Sequence, residues 1–368
     1  MSLEDTVKKV FVAATRQNDG KTLVSLGLYH ALSKRFGQTG YMKPVGQQYL
    51  TINNEKIDKD AVLFHNTFSL NDPLKDTSPI AVPSGFTEDY IMNPYQETLE
   101  EKLLDAYSRL KQDKDFILFE GTGHAGVGSV FDMSNATVAS LLKTKVILVS
   151  IGGIGKCIDE LMLNISLFQQ KNVEILGVII NKVLPSKYEK IQRVVGKSLQ
   201  DRGIRLLGTI PLEDQLTYPT VGGLVSSLKP QLLSGKRGLK NKVKKFMIGD
   251  MLPHNALDIL TENTLMIIPG NREGLILTAL CENMLRGKGP RLVSGIIFSD
   301  GFMPNPKILE LLNKTRIPLL LMEEDAFTIA TKINHIIIKI RTEDTDKILL
   351  SEKLVEDYVD IDEIMNLL

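Results

Sequence analysis

The stretch from Val10 to Thr22 constrains this chain more than any other. Val10 to Ala14 is an apolar, partly β-branched run that reads as a strand. A polar loop follows, and Gly20-Lys21-Thr22 opens an amphipathic stretch from Leu23 to Phe36. Strand, loop and Gly-Lys-Thr at a helix start form the layout of a phosphate-binding loop. Gly20 lets the backbone approach a phosphate, and Lys21 supplies a point charge to the β- and γ-phosphates. The Thr22 hydroxyl is a Mg²⁺ ligand of the right type, and Asn18 and Asp19 complete the candidate nucleotide-binding loop. The helix that follows turns its positive end toward the anion. The loop departs from the usual pattern at its start, where Ala14 or Thr15 stands in place of a glycine.

A chain of 368 residues is too long for one typical core and suggests two domains, drawn here at 1–228 and 229–368. Lysine plus arginine and aspartate plus glutamate both number 44, so the net charge is zero. That balance argues against nucleic acid and against an anionic membrane surface as partners. No apolar run reaches membrane-spanning length, and the mixed-charge N-terminus is unlike a signal peptide, so a cytoplasmic location is expected. Cys157 and Cys281 lie far apart and read as reduced thiols.

Strands and helices alternate along the first part. Asp115 to Glu120, Val146 to Ser150, Val173 to Asn181 and Arg205 to Ile210 read as strands. Lys56 to Phe64, Gln96 to Lys111, Ser134 to Leu142, Cys157 to Gln169 and Tyr188 to Asp201 read as helices. This pattern predicts an α/β fold with a parallel sheet covered on both faces. Ligands then sit beyond the C-terminal ends of the strands, where Thr15, Lys43, Glu120 and Asn181 fall. Asn71 to Asn93, rich in Pro, Asp and Ser, reads as a long loop, and Gly121 to Gly128 as a second glycine loop. Ser226 to Lys245 holds seven basic residues and reads as a solvated linker, since no aromatics are interleaved for nucleic acid. The alternation then resumes in a smaller second domain.

Glu120 ends an apolar strand, where a carboxylate can hold Mg²⁺ directly or through water. Asp60 sits among several acids that equally suit a charged helix face. Lys43 adds a positive charge near the γ-phosphate or simply precedes a turn at Pro44. Asn181 reads a base or caps the next helix. His124 is a candidate acid or base in the second glycine loop, or a loop-packing histidine.

Several stretches resemble the dethiobiotin synthetase branch of P-loop proteins. They resemble still more the synthetase-like N-terminal region of bacterial phosphotransacetylases. Among them are VFVAATRQNDGKT at 10–22, GYMKPVGQ at 40–47, KDAVLF at 59–64 and FEGTGHAGVGSVFDMSNATVA at 119–139. VILVSIGGIGKCIDELMLN at 146–164 and GVIINKV at 177–183 belong to the same set. The second domain resembles the DRTGG domain that follows in those proteins. The resemblance implies a P-loop NTPase-type sheet, with ATP and Mg²⁺ as cofactors. It assigns phosphate and metal to Lys21 and Thr22, and metal also to Asp60 and Glu120. It places Lys43 by the reacting phosphate and Asn181 at the base, and implies pairing as a dimer.

The departures from that family bear on chemistry. Thr122-Gly123-His124 replaces the synthetase loop that lines the substrate, and Gln47-Gln48 replaces small residues. Asn271-Arg272 and Ser299-Asp300-Gly301 stand where the DRTGG pattern has Asp-Arg and Thr-Gly-Gly. The sequence ends at Leu368, where a phosphotransacetylase would continue into its catalytic domain, so acetyl transfer is not expected. The expected role is Mg·ATP binding with regulatory or sensor output, acting with an unidentified small metabolite or a partner enzyme. The alternatives are an ATP-dependent ligase forming an acyl or carbamoyl phosphate, a partition-type ATPase with Arg16 in place of its second loop lysine, and a scaffold with a decayed loop.

Overall fold

The computed structural model describes residues 7–285, 291–336 and 338–368. The chain forms two compact units. One comprises the chain up to Glu213 together with Ile340–Leu368, and the other is Asp214–Lys339.

The first unit is built on a six-stranded sheet in which every pairing is parallel. Its order is Leu206–Pro211, Ile175–Val183, Lys145–Ile151, Lys8–Ala14, Phe116–Glu120 and Thr39–Met42. The central strands read as continuous apolar runs because both faces are covered. Phe11, Ala13, Phe119, Leu148 and Ile180 belong to one core, shared with the helices Gln96–Leu110, Asn135–Leu141, Gly155–Gln170 and Tyr188–Gln200. The alternate residues Val10, Val12, Leu118, Ile147 and Val149 are buried as well. The helix Lys21–Ser33 packs on the strands Lys8–Ala14 and Phe116–Glu120.

Three local expectations change. The helix expected from Lys56 starts at Lys59, because Asp58 caps it by accepting the Asp60 N–H at 2.8 Å. Glu55–Asp58 instead pairs with Tyr49–Ile52 in a hairpin. Its two turn residues, Asn53 and Asn54, both have positive φ, as a tight two-residue turn requires. The expected loop over 71–93 contains the short helices Leu74–Thr77 and Phe86–Met92 and the strand Ile80–Ala81. These elements are too short to show a helical or strand period. The basic stretch over 226–245 is not a linker, since it carries the end of the helix Val221–Leu228 and the strand Gln231–Ser234.

That strand is the antiparallel edge of the second unit's five-stranded sheet. The sheet runs Gln231–Ser234, Leu319–Leu321, Val293–Ser299, Thr264–Pro269 and Lys245–Ile248. The other pairings are parallel, and apolar clusters around Ile268 and Phe298 and around Ile267 and Ile297 mark its two faces.

A division at 228/229 would place the C-terminal helices in the second unit. They belong instead to the first, because the helix Thr345–Tyr358 lies along Lys21–Ser33 and the edge strand Leu206–Pro211. Gly27 makes the close approach possible. A Cβ at that position would lie 2.4 Å from Val355 Cβ and 2.7 Å from the Ser351 carbonyl. His30 faces Glu352 and Glu356 at 3.4 and 3.5 Å, and Lys34 and Arg35 pair with Glu356 and Asp362. Such partly exposed ion pairs contribute about 0–1 kcal/mol each. Burial of one side chain such as Val355, at about 1.5–3 kcal/mol, outweighs any one of them.

Glycine to alanine inside a helix ordinarily adds about 0.5–1 kcal/mol of stability. Gly27→Ala is expected to do the reverse, lowering stability by about 1–3 kcal/mol through overpacking against Val355. Urea denaturation measures this, and faster proteolysis ahead of Thr345 would show that the C-terminal helices have come loose. A stabilised variant would mean the contact yields freely.

Candidate functional site

The loop after the first strand is shaped by its own side chains. The Thr15 N–H donates to the Val149 carbonyl at 2.9 Å, which carries the sheet pairing one residue further. The Asp19 carboxylate accepts from Thr15 Oγ1 at 2.7 Å and from the Arg16 N–H at 2.9 Å. Thr15 Oγ1 also reaches Ser150 Oγ, and Arg16 Nε lies 3.1 Å from Glu160 Oε2. Only Asn18 and Gly20 in this loop take positive φ, at 67° and 98°. A Cβ on Gly20 would meet Asn181 Nδ2 at 2.0 Å, so glycine is required there twice over.

Gly20 is the N-cap of the 13-residue helix Lys21–Ser33 and offers no side chain to cap it. The N–H groups of the first turn, which have no intrahelical acceptors, are therefore left without a side-chain cap, as an anion site needs. Lys21 is buried, and among the described residues its ammonium makes no hydrogen bond or ion pair. Burial, with repulsion from Lys43, lowers its pKa to about 8.

The neighbouring charges form one cluster. Lys43 leaves the end of the strand Thr39–Met42, and its Nζ lies 2.9 Å from Asp60 Oδ2, 3.0 Å from Glu120 Oε1 and 3.0 Å from the Gly121 carbonyl. Burial works against its charge, but Asp60 and Glu120 more than offset this and hold it well above the usual lysine range. Thr22 Oγ1 donates to Glu120 Oε1 at 3.0 Å, and Tyr41 Oη reaches Glu120 Oε2 at 3.4 Å. Asp60 is therefore a buried member of this cluster and not part of a solvated helix face. Asp58 stands behind it, and burial together with the Asp60 charge pushes its carboxyl up to about 6.

Two carboxylates and a hydroxyl make an all-oxygen donor set that suits Mg²⁺. Among the described residues there is no group of three or more His, Cys, Asp or Glu able to cage a metal. Magnesium at phosphate sites needs fewer protein ligands, since phosphate and water complete its shell. Thr22, Asp60 and Glu120 are thus the residues that could hold it.

Asn181 and His124 stand apart from these groups. Asn181 is buried, its Nδ2 donating to the Asp19 carbonyl at 2.9 Å and its Oδ1 accepting from the Lys182 N–H. Lys182 Nζ donates to the Asn18 carbonyl, so this strand end anchors the phosphate loop. His124 is exposed, and its Nδ1 accepts the Gly126 N–H at 3.2 Å. Its loop is stapled by Asn135, which bonds Thr122 and His124 backbone groups, and by Asn164, which accepts the Ala125 N–H. Sequence reasoning missed Tyr41, Asp58, Asn135 and Asn164. Asp58 alone carried a local signal, as an acid standing directly before a helical run.

In the second unit, Arg272 pairs with Asp250 beyond the strand Thr264–Pro269. Asp300 and Gly301, both at positive φ, donate their N–H groups to the Glu324 and Met322 carbonyls.

A family model described as an AAA domain matches residues 8–220, and one described as a DRTGG domain matches 223–336. A phosphate acetyltransferase from Synechocystis sp. is 27% identical over 373 residues, covering 98% of this chain and 51% of that protein. An ATP-dependent dethiobiotin synthetase from Clostridium kluyveri is 28% identical over 188 residues, covering 50% of this chain and 76% of the synthetase. The chain thus spans about half the length of the acetyltransferases it matches. Among solved structures, the MinC:MinD cell division protein complex of Aquifex aeolicus aligns with a TM-score of 0.37 and 14% identity, over 57% of this chain and 84% of that one. Among the described residues no helix is long and apolar enough to cross a membrane.

The lowered pKa of Lys21 has a consequence for stability. Unfolded, the lysine titrates near its ordinary 10.5; folded, it titrates near 8. Between these values the unfolded chain binds more protons, so this group makes stability rise with pH there. Below pH 8 holding its charge, against burial and the repulsion of Lys43, costs about 3 kcal/mol. Lys21→Met is therefore expected to raise stability at pH 7 by about 2–3 kcal/mol and to flatten that rise. Urea midpoints from pH 7 to 10 test both, and a destabilised Lys21→Met would mean the lysine has a partner.

Proposed function

Because this chain belongs to the AAA domain family and continues into a DRTGG domain, we propose that its first unit binds a magnesium nucleotide. We take the nucleotide to be ATP, as named for the synthetase relative, and the output to be regulation or sensing. The observation that carries the reading is Lys21, a lysine in a buried position whose ammonium makes no hydrogen bond or ion pair among the described residues, at the uncapped start of a helix. A polyphosphate would supply both the missing counter-charge and the acceptors for the first-turn N–H groups. Thr22, Asp60 and Glu120 would hold Mg²⁺, which neutralises phosphate charge when bound. Asn18, Asp19 and Gly20 shape the loop, and Asn181 and Lys182 keep it in place.

A regulatory role is supported by the glycine loop after Glu120, where Asn135 and Asn164 occupy backbone groups of Thr122, His124 and Ala125. A small metabolite, a partner enzyme and a second copy of the chain are the partners proposed to read the bound state.

The second reading is an ATP-dependent ligase making an acyl or carbamoyl phosphate. Lys43, held beside the Gly121 carbonyl, favours it as a group that positions charge near a transferring phosphate. His124 would be its acid or base. Metabolite-dependent ADP release that disappears in Glu120→Gln would favour the ligase over the sensor.

Calorimetric titration with ATP, with and without Mg²⁺, tests the main reading. Mg²⁺-dependent binding is expected, weakened about 10- to 100-fold in Lys21→Ala, as for loss of one charge-assisted contact. No heat at millimolar ATP with Mg²⁺ would leave an interaction scaffold as the better account.

A further inference from the structure

Lys43 satisfies its ammonium with three oxygens, at 2.9 Å on Asp60 and 3.0 Å on both Glu120 and the Gly121 carbonyl. Its side chain is 4% exposed, and those of Asp60 and Glu120 are 9% and 0%. Burying two carboxylates so deeply is costly without a cation beside them. The same two carboxylates, with Thr22 Oγ1 bonded to Glu120, are the oxygen donors that would hold a divalent ion. Lysine and metal therefore compete for one set of acceptors.

The fate of the released ammonium decides between them. Lys21 and Lys43 stand with Asp60 and Glu120, and the charges of Asp19 and Asp58 also act on them. A divalent ion entering alone would displace an ammonium from three good acceptors and leave it beside a second cation. Entering with a polyphosphate, it brings more negative charge than it carries, and the released ammonium gains a new anionic partner.

We propose that Lys43 is an internal surrogate for the metal, holding Asp60 and Glu120 in the nucleotide-free chain and ceding them to Mg²⁺ only when a polyphosphate is present to receive the ammonium. This rests on the nucleotide reading above. Metal and nucleotide then bind with strong mutual preference, each raising the affinity of the other by the same factor.

Mn²⁺, followed by the electron paramagnetic resonance of the free ion, is the probe. Nucleotide-free wild-type protein is expected to bind it weakly, with affinity rising about 5- to 150-fold in a non-hydrolysable ATP analogue. Lys43→Met is expected to bind Mn²⁺ at least tenfold more tightly than wild type without nucleotide (about the loss of one competing contact), and to melt at higher temperature with Mn²⁺ added. Adding Glu120→Gln should cancel both gains. Equal Mn²⁺ affinity in folded Lys43→Met and wild type overturns the proposal, as does nucleotide-independent tight binding by wild type. Should Lys43→Met stay unfolded even with Mn²⁺, proton exchange at the Lys43 ammonium in wild type decides. Protection lost on adding Mg²⁺ with the analogue supports the exchange of partners, and retained protection overturns it. ATP binding with unchanged Mn²⁺ behaviour would defeat this inference alone. Tightened Mn²⁺ binding in Lys43→Met without any ATP binding would defeat the nucleotide reading and the coupling to it, and leave only the competition between Lys43 and the metal.

Discussion

The upper edge of the first unit's sheet depends on one buried ammonium. Lys43 draws together Asp60, which begins a helix, and Glu120, which ends the neighbouring strand. Without it two carboxylates would share an interior site with no counter-charge, and breaking a buried pair in this way typically costs about 3–5 kcal/mol. Tyr41 and Asp58 occupy the flanks of the same cluster. Burial, joined by the charge of Glu120, pushes the Tyr41 phenol well up, and Asp58 titrates near 6. The contrast with Lys21 is instructive. Both lysines are buried beyond a strand end, yet Lys43 gains more from carboxylates than it loses to burial, while Lys21 does not. The chain keeps one cation satisfied and leaves the other in need of an anion.

The phosphate loop shows how a missing glycine is accommodated. A glycine early in such a loop permits unusual backbone angles, but here Ala14 and Thr15 need none, since positive φ is confined to Asn18 and Gly20. Side chains do the shaping in its place. Asp19 gathers Thr15 Oγ1 and the Arg16 N–H from within, Asn181 and Lys182 grip the carbonyls of Asp19 and Asn18 from the next strand but one, and Asn164 reaches the Thr15 carbonyl. Asn181 thus spends both ends of its amide on the protein, the structural counterpart of a residue expected at a base.

Much of this was readable from residue order because the relevant signals are local. The apolar runs at Val10 to Ala14, Asp115 to Glu120 and Val146 to Ser150 each follow or precede a helical pattern, which makes a parallel sheet the natural outcome. Strand ends then place Lys21, Lys43 and Glu120 on one edge. Short elements escaped, since the four residues of Leu74–Thr77 complete barely one turn and carry no period. Basic residues at Lys236 and Arg237 suggested a solvated connector, though the neighbouring Leu232 and Leu233 join the apolar clusters of the second unit's sheet.

The sequence by itself determined the strand–loop–helix at the start, the α/β class and the candidacy of Lys21, Thr22 and Glu120, because each follows from chemistry within a few residues of chain. Only the tertiary structure decided that Asp60 is buried against Lys43, a contact spanning 17 residues, and that Lys43 also meets Glu120 across 77. It also decided that the helix Thr345–Tyr358 returns to the phosphate-loop helix across the methyl-free face of Gly27. These are pairings of groups distant in sequence, whose energies come from exclusion of water and from charge brought together by folding, and no local pattern encodes them.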